Sequence, residues 1–92
     1  MLTHNDSTTE LLTILQEECA EVIQMASKLK RFGQDPDTLE RFVKELGDLQ
    51  CMIDLCQEYD LVSFEEIVKY SDEKREKLKI WSNVVVGDYE DA

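Results

Sequence analysis

The chain has 92 residues, 42% of them hydrophobic, and only three glycines and one proline interrupt it. That length suits one domain, residues 1–92, with a limited core, and so few breakers favour an all-α fold over a turn-rich β fold. Ten basic residues against twenty-one acidic ones give a net charge of −11, which opposes nonspecific binding to nucleic acid or to an anionic membrane.

The N-terminal segment, Met1 to Thr9, is polar and lacks the apolar run of a signal peptide, and no segment approaches the length of a membrane span. Residues 1–7 are expected to be flexible. Ser7 and Glu10 have the spacing of a capping box, which predicts a helix from about Thr8 to the stop at Gly33. A turn around Pro36 follows, with Asp35 or Asp37 as the cap of a second helix that continues to about Glu58. Tyr59 to Val62 make the next connection. Ser63 and Glu66 repeat the capping-box spacing, and a third helix runs from about Phe64 to Trp81. Val84 to Val86 suit a short extended or docking segment, and residues 88–92 are expected to be flexible. The short first connection implies an antiparallel hairpin, to which the third helix is added.

Cys19, Cys51 and Cys56 are odd in number and lack zinc spacing. Each sits beside apolar neighbours, so buried free thiols in a reducing, cytoplasmic setting are expected. Met25 and Met52 read as core filling, Phe32 and Phe42 as packing near the hairpin turn, and Gly47 as a point of close helix approach. Asp54 reads as an exposed or interfacial acid.

Two acidic clusters break the apolar pattern. At about 100° per residue, Glu18 falls on the line of Leu11, Leu15, Val22, Met25 and Leu29, within the apolar arc, and Glu21 lies at its edge. On the second helix Glu45 and Asp48 border the stripe that carries Met52 and Leu55. An unpaired carboxylate in an apolar setting costs several kcal/mol (roughly 2–7 for a neutral polar group, more for a charge), so such acids need a cation or a proton. Antiparallel packing would bring the two pairs to one level of the bundle. Oxygen-only ligation selects a hard cation such as Mg²⁺ or Mn²⁺ over zinc or copper. The single histidine, His4, is expected outside the helices, which disfavours a di-iron site built on Glu-x-x-His.

Glu17-Glu18-x-x-Glu21, then residues 22–44, then Glu45-x-x-Asp48 resembles the paired motifs of the all-α nucleoside triphosphate pyrophosphohydrolases, the MazG-like superfamily. The resemblance covers most of the chain. It extends to the Glu45-Leu46-Gly47-Asp48-Leu49 context and to the basic third helix around Lys74-Arg75-Glu76-Lys77-Leu78-Lys79, and the compact length looks most like the small single-domain members, many of them carried by bacteriophages. What it implies is hydrolysis of a ribo- or deoxynucleoside triphosphate between the α and β phosphates, in the cytoplasm, or the host cytoplasm for a phage protein. Glu18, Glu21, Glu45 and Asp48 would then hold Mg²⁺, with Mn²⁺ able to substitute. Glu17 would take a supporting role, and a general-base role stays open between Glu17 and Glu21.

Phosphates also need cations. Lys28, Lys30 and Arg31 end the first helix, while Lys69, Lys74, Arg75, Lys77 and Lys79 crowd the third. The resemblance favours the third-helix group, especially Lys74 and Lys77, as a phosphate clamp. Because Asp72, Glu73 and Glu76 interleave with these bases, pairing on a solvated face explains them almost as well. Lys28 and Arg31 are further candidates for the substrate. Trp81 with Asn83 suits stacking on and hydrogen bonding to a base, although a terminal Trp more often anchors a helix end onto the core. A hairpin and one more helix leave apolar surface uncovered, so a homodimer or homotetramer, an oligomeric helical bundle, is expected. The alternative reading is an acidic helical binding module, an inhibitor or a mimic of nucleic-acid charge, whose acids would be exposed and dispersed.

Overall fold

The computed structural model describes residues 4–87, with side chains from residue 7 onward. These residues form three α-helices without a strand: α1 His4–Phe32, α2 Pro36–Glu58 and α3 Phe64–Trp81. Residues 1–3 and 88–92, expected to be flexible, lie outside the described residues.

α1 begins about a turn before the expected start. Ser7 is inside the helix and does not cap it, and residues 4–7 are helical, including His4. No Gly or Pro lies between His4 and Gly33, so nothing in the sequence stops the helix at Thr8. At the other end Lys30 and Arg31 occupy the last turn, where cations offset the helix dipole. Gly33 then takes a φ of 97°, its N–H donating to the Leu29 carbonyl at 3.1 Å, in a conformation that costs glycine little.

Asp35 caps α2, as expected. Its carboxylate accepts from the Thr38 N–H at 2.9 Å and from the Thr38 hydroxyl at 2.8 Å, with Pro36 opening the helix. α2 closes in a Schellman turn: the Leu61 N–H reaches the Cys56 carbonyl and the Asp60 N–H reaches Gln57, with Asp60 at φ 58°. Ser63 caps α3, its hydroxyl oxygen accepting from the Glu66 N–H at 3.4 Å.

The chain divides into two compact units, Met1–Leu61 and Val62–Ala92. In the first, α1 packs on α2. Leu11, Met52 and Cys56 are buried together, with Ile14, Leu15 and Leu55 against them, and Met25 is buried as well. Burying side chains of this size contributes roughly 1.5–3 kcal/mol each, enough to hold two amphipathic helices together. In the second, α3 buries none of its residues, and Phe64, Tyr70, Ile80 and Trp81 are all exposed. Ser82 ends α3 with both its N–H and its hydroxyl donating to the Leu78 carbonyl, and the Val84 N–H donates to the same hydroxyl oxygen. The chain then returns along the helix, so that the Arg75 guanidinium donates to the Gly87 carbonyl at 2.9 Å.

Five expectations are corrected. Trp81 is 82% exposed, so it does not anchor the end of α3 onto a core among the described residues. Phe32, the last residue of α1, is 69% exposed with the Arg31 guanidinium 5.0 Å from its ring centre, while Phe42 is half-buried. Of the three free thiols only Cys56 is buried. Cys19 and Cys51 are one helical step off the packed stripes of Glu18 and Met52, which turns them to the surface. A Cβ added at Gly47 would meet nothing within 4 Å, so no close helix approach occurs there. His4 belongs to α1, although the sequence holds no Glu-x-x-His spacing to give it a di-iron role.

Candidate metal centre

The apolar line on α1 is realised with the acid in its middle. Leu11 and Met25 are buried, Leu15, Val22 and Leu29 are half-buried, and Glu18 is half-buried among them. Glu45 on α2 is half-buried too, and Asp48 is exposed. One carboxylate oxygen from each of Glu18, Glu45 and Asp48 lies within 4.8 Å of the other two. Three like charges at this separation repel. Partial removal from water holds the Glu18 carboxyl above its ordinary value near 4.5, and the charges of Asp48, Glu45, Glu21 and Glu17, in that order, push it further the same way.

The donor set fits a hard cation. At an Mg–O distance of about 2.1 Å, oxygens on opposite sides of one ion stand about 4.2 Å apart, and at calcium distances about 4.8 Å. A small inward movement of these side chains therefore matches them to one ion. None of the three brings nitrogen or sulfur, so the site has nothing that prefers zinc or copper. Glu21 and Glu17 are exposed and stand outside the three-way grouping, close enough to be felt by Glu18.

An open cleft of about 320 Å³, lined in part by Ile14, Met52, Leu55 and Tyr59, adjoins this level of the first unit. Ile14 precedes Glu18, and Met52 follows Asp48, by one helical turn, so apolar surface and acids succeed one another along the same seam. The sequence signal for the cleft is the apolar stripe itself, in which a cleft wall and a core position look alike.

The basic candidates divide by unit. Lys28 and Arg31 are exposed near the end of α1. Lys74, Lys77 and Trp81 are exposed on α3, where with Tyr70 they recur at the spacing of one helical face, and Asn83 is exposed just beyond it. On α3 the interleaved acids take up some of the bases: Lys79 pairs with Glu76 at 2.9 Å. Asp54 is exposed and accepts from Gln50 on its own helix, as expected of a solvated acid. Among the bases of α3, half-buried Arg75 donates to a backbone carbonyl twelve positions away, a partner that carries no side-chain signal in the sequence.

No helix among the described residues is long and apolar enough to cross a membrane. No protein-family model matches the chain, and comparison with curated proteins and with solved structures likewise finds no match.

Proposed function

We propose that this protein is a Mg²⁺-dependent nucleoside triphosphate pyrophosphohydrolase, converting a ribo- or deoxynucleoside triphosphate and water to the monophosphate and pyrophosphate. One observation carries the reading: Glu18, half-buried in an apolar stripe, converges with Glu45 and Asp48 from the facing helix. An acidic binding module would have its acids dispersed in water. The spacing of the motifs, which resembles that of the MazG-like enzymes, supplies the reaction type.

In this reading Glu18, Glu45 and Asp48, joined by Glu21, hold the cation. When bound it would neutralise phosphate oxygens and make a coordinated water more acidic. Glu17 and Glu21, exposed beside the cluster, are the residues available to orient or deprotonate that water. The apolar cleft at Ile14, Met52 and Leu55 offers the nucleoside a surface that excludes water on one side. The resemblance assigns Lys74 and Lys77 to the phosphate tail, with Lys28 and Arg31 as further cations, and Trp81 and Asn83 to the base. Attack on the α-phosphorus in line with pyrophosphate departure is then mainly a matter of positioning and charge compensation.

The fold follows the same reading. Leu11 shares its cluster with Met52 and Cys56, whereas Glu18, further along α1, meets Glu45 and Asp48, earlier on α2, which supports an antiparallel hairpin. In this reading residues 1–92 act as one functional domain, and the protein assembles as a homodimer or homotetramer in the cytoplasm. The exposed Phe64, Tyr70, Ile80 and Trp81 support that assembly.

The decisive experiment incubates the protein with Mg²⁺ and the common nucleoside triphosphates in ¹⁸O water. Label in the monophosphate and none in the pyrophosphate of the first turnover is expected. Label in pyrophosphate would move attack to the β-phosphorus, single phosphate would indicate γ cleavage, and no product from any nucleotide would favour the binding module.

A further inference from the structure

Each helix of the first unit carries a second apolar stripe that its packing leaves open. On α1, Leu12, Cys19, Ile23 and Ala26 each come directly after a residue of the packed line, Leu11, Glu18, Val22 and Met25. On α2, Leu46, Leu49 and Ile53 stand in the same way to Glu45, Asp48 and Met52, and Leu39 and Phe42 extend the stripe toward the turn. One residue is a step of about 100° round a helix, so each stripe lies roughly a quarter-turn from the packed seam. In an antiparallel pair the same step on both helices leads to the same side, and the two stripes join into one face. Leu12, Cys19, Ile23, Leu39 and Leu46 are all exposed there. The acids step the other way: Glu10, Glu17 and Glu21 directly precede Leu11, Glu18 and Val22, and Asp54 precedes Leu55, which turns them to the opposite side. None of the residues named for either stripe is charged.

We propose that this uncharged face joins two copies of the chain, hairpin on hairpin, in a four-helix bundle. This rests on the reading of the protein as a homo-oligomer with α1 and α2 antiparallel, and it names the surface that joins the copies; the apolar residues of α3 are a separate surface. The spacing suits the partner. Leu39, Phe42, Leu46, Leu49 and Ile53 alternate steps of three and four residues, the seam that packs helix against helix at about 20°. The area suits it too. At 23 residues α2 is about 34 Å long, and two helices side by side are about 20 Å broad, so the face offers on the order of 700 Å² per copy, close to the roughly 800 Å² that each partner buries in a stable interface. Charge selects the side. Each copy carries −11, so an approach through the acid-bearing side would bring like charges together. Joined on the uncharged face, the exposed acids of the two copies stand two helix layers apart, about 20 Å, well beyond the roughly 8 Å screening length at physiological salt.

The test uses the full-length protein without metal or nucleotide, so its outcome does not depend on turnover. The two exposed thiols sit on opposite sides of the pair: Cys19 lies within the proposed face, and Cys51, directly before Met52, lies away from it. Sedimentation over a range of protein concentration should reveal the oligomer. Under the same conditions, alkylation followed by peptide mass spectrometry should modify Cys19 at least about tenfold more slowly than Cys51, with the two rates converging on dilution. I23E/L39E, which puts charges into the face at exposed positions, should return the protein to monomers of unchanged helical circular dichroism and remove the difference between the thiols. I80E/W81E, on α3, should leave that difference in place. An oligomer whose Cys19 and Cys51 react alike would overturn this face and leave the homo-oligomer standing. Monomers at every concentration would overturn both, and a Cys19 protected in those monomers would show the face covered from within the chain. If I23E/L39E loses its helices, the thiol rates of the native protein decide alone.

Discussion

The α1–α2 pair and α3 are built from similar amphipathic material, yet every buried residue among those described, Leu11, Met25, Met52 and Cys56, belongs to the pair. α3 has good caps, a basic last turn and apolar residues at helical spacing, and it buries none of them. The difference shows what amphipathicity does and does not supply. A stripe yields stability only when a second stripe faces it, and the pair also uses its facing stripes to hold three carboxylates together. α3 has its caps and the Arg75–Gly87 clasp to order it, and its apolar residues are left to the proposed assembly.

The largest effects should come from breaking the pair's packing. Leu11→Ala and Met52→Ala each remove a buried side chain and should cost about 2–4 kcal/mol, a large share of the stability of a domain this small. Ile80→Ala and Trp81→Ala should move stability by no more than about 0.5 kcal/mol in dilute protein. Denaturant titrations over a range of protein concentration check this. If the α3 variants lose stability only at high concentration, the same comparison identifies α3 as the assembling face.

Next in size is the loss of the acid cluster. Glu18→Gln, Glu45→Gln and Asp48→Asn should each lower metal-dependent turnover by at least about thirtyfold, which is about 2 kcal/mol of transition-state stabilisation. Glu21→Gln should cost less, since Glu21 stands outside the three-way grouping. Without metal, Glu18→Gln should melt higher than the native protein because it relieves repulsion. The rise in Tm that Mg²⁺ gives the native protein should shrink in the variant. An unchanged native Tm across millimolar Mg²⁺ would remove the metal from the account.

Acidification separates two carboxylates that the structure treats in opposite ways. Glu18 has its carboxyl raised in the folded chain, so its contribution is fully present below the ordinary value near 4.5 and is lost as pH rises through the folded one. Asp35 is lowered, first by the Thr38 N–H and then by the Thr38 hydroxyl. Its contribution is present above the ordinary value near 3.8 and is lost as pH falls through the folded one. Metal-free protein should therefore gain stability from Glu18 as pH falls from neutrality toward about 4.5, and lose Asp35's share below about 3.8. Glu18→Gln should flatten the first limb and Asp35→Asn the second, as read in melting curves at constant ionic strength.

What the sequence revealed and what it concealed divide along the same physical line. The position of Glu18 in the apolar arc, the cap at Asp35, and the bounds of α3 at Ser63 and Trp81 follow from periodicity and hydrogen bonding within a few residues, and the chain carries that information locally. Cys19, Cys51 and Phe32 depend on how much of a helix its neighbour covers, which no local pattern records. The start of α1 misleads for a related reason: Ser7 and Glu10 have capping spacing, but nothing before them breaks the helix. The Arg75 clasp depends on a backbone carbonyl, and every residue has one.

Gly47 provides the smallest and most discriminating test. It lies between two acids of the cluster on an exposed part of α2, with open space where its Cβ would be. In the isolated chain Gly47→Ala should thus be free of clash and should stabilise by up to about 1 kcal/mol, the helix-propensity difference between the two residues. If that gain appears in dilute protein and vanishes, or turns to a loss, as concentration or a bound nucleotide rises, then something approaches Gly47 that the single chain does not contain. A uniform gain under all these conditions would leave Gly47 a helix position without a packing role, and would confine the pair's function to the acids on either side of it.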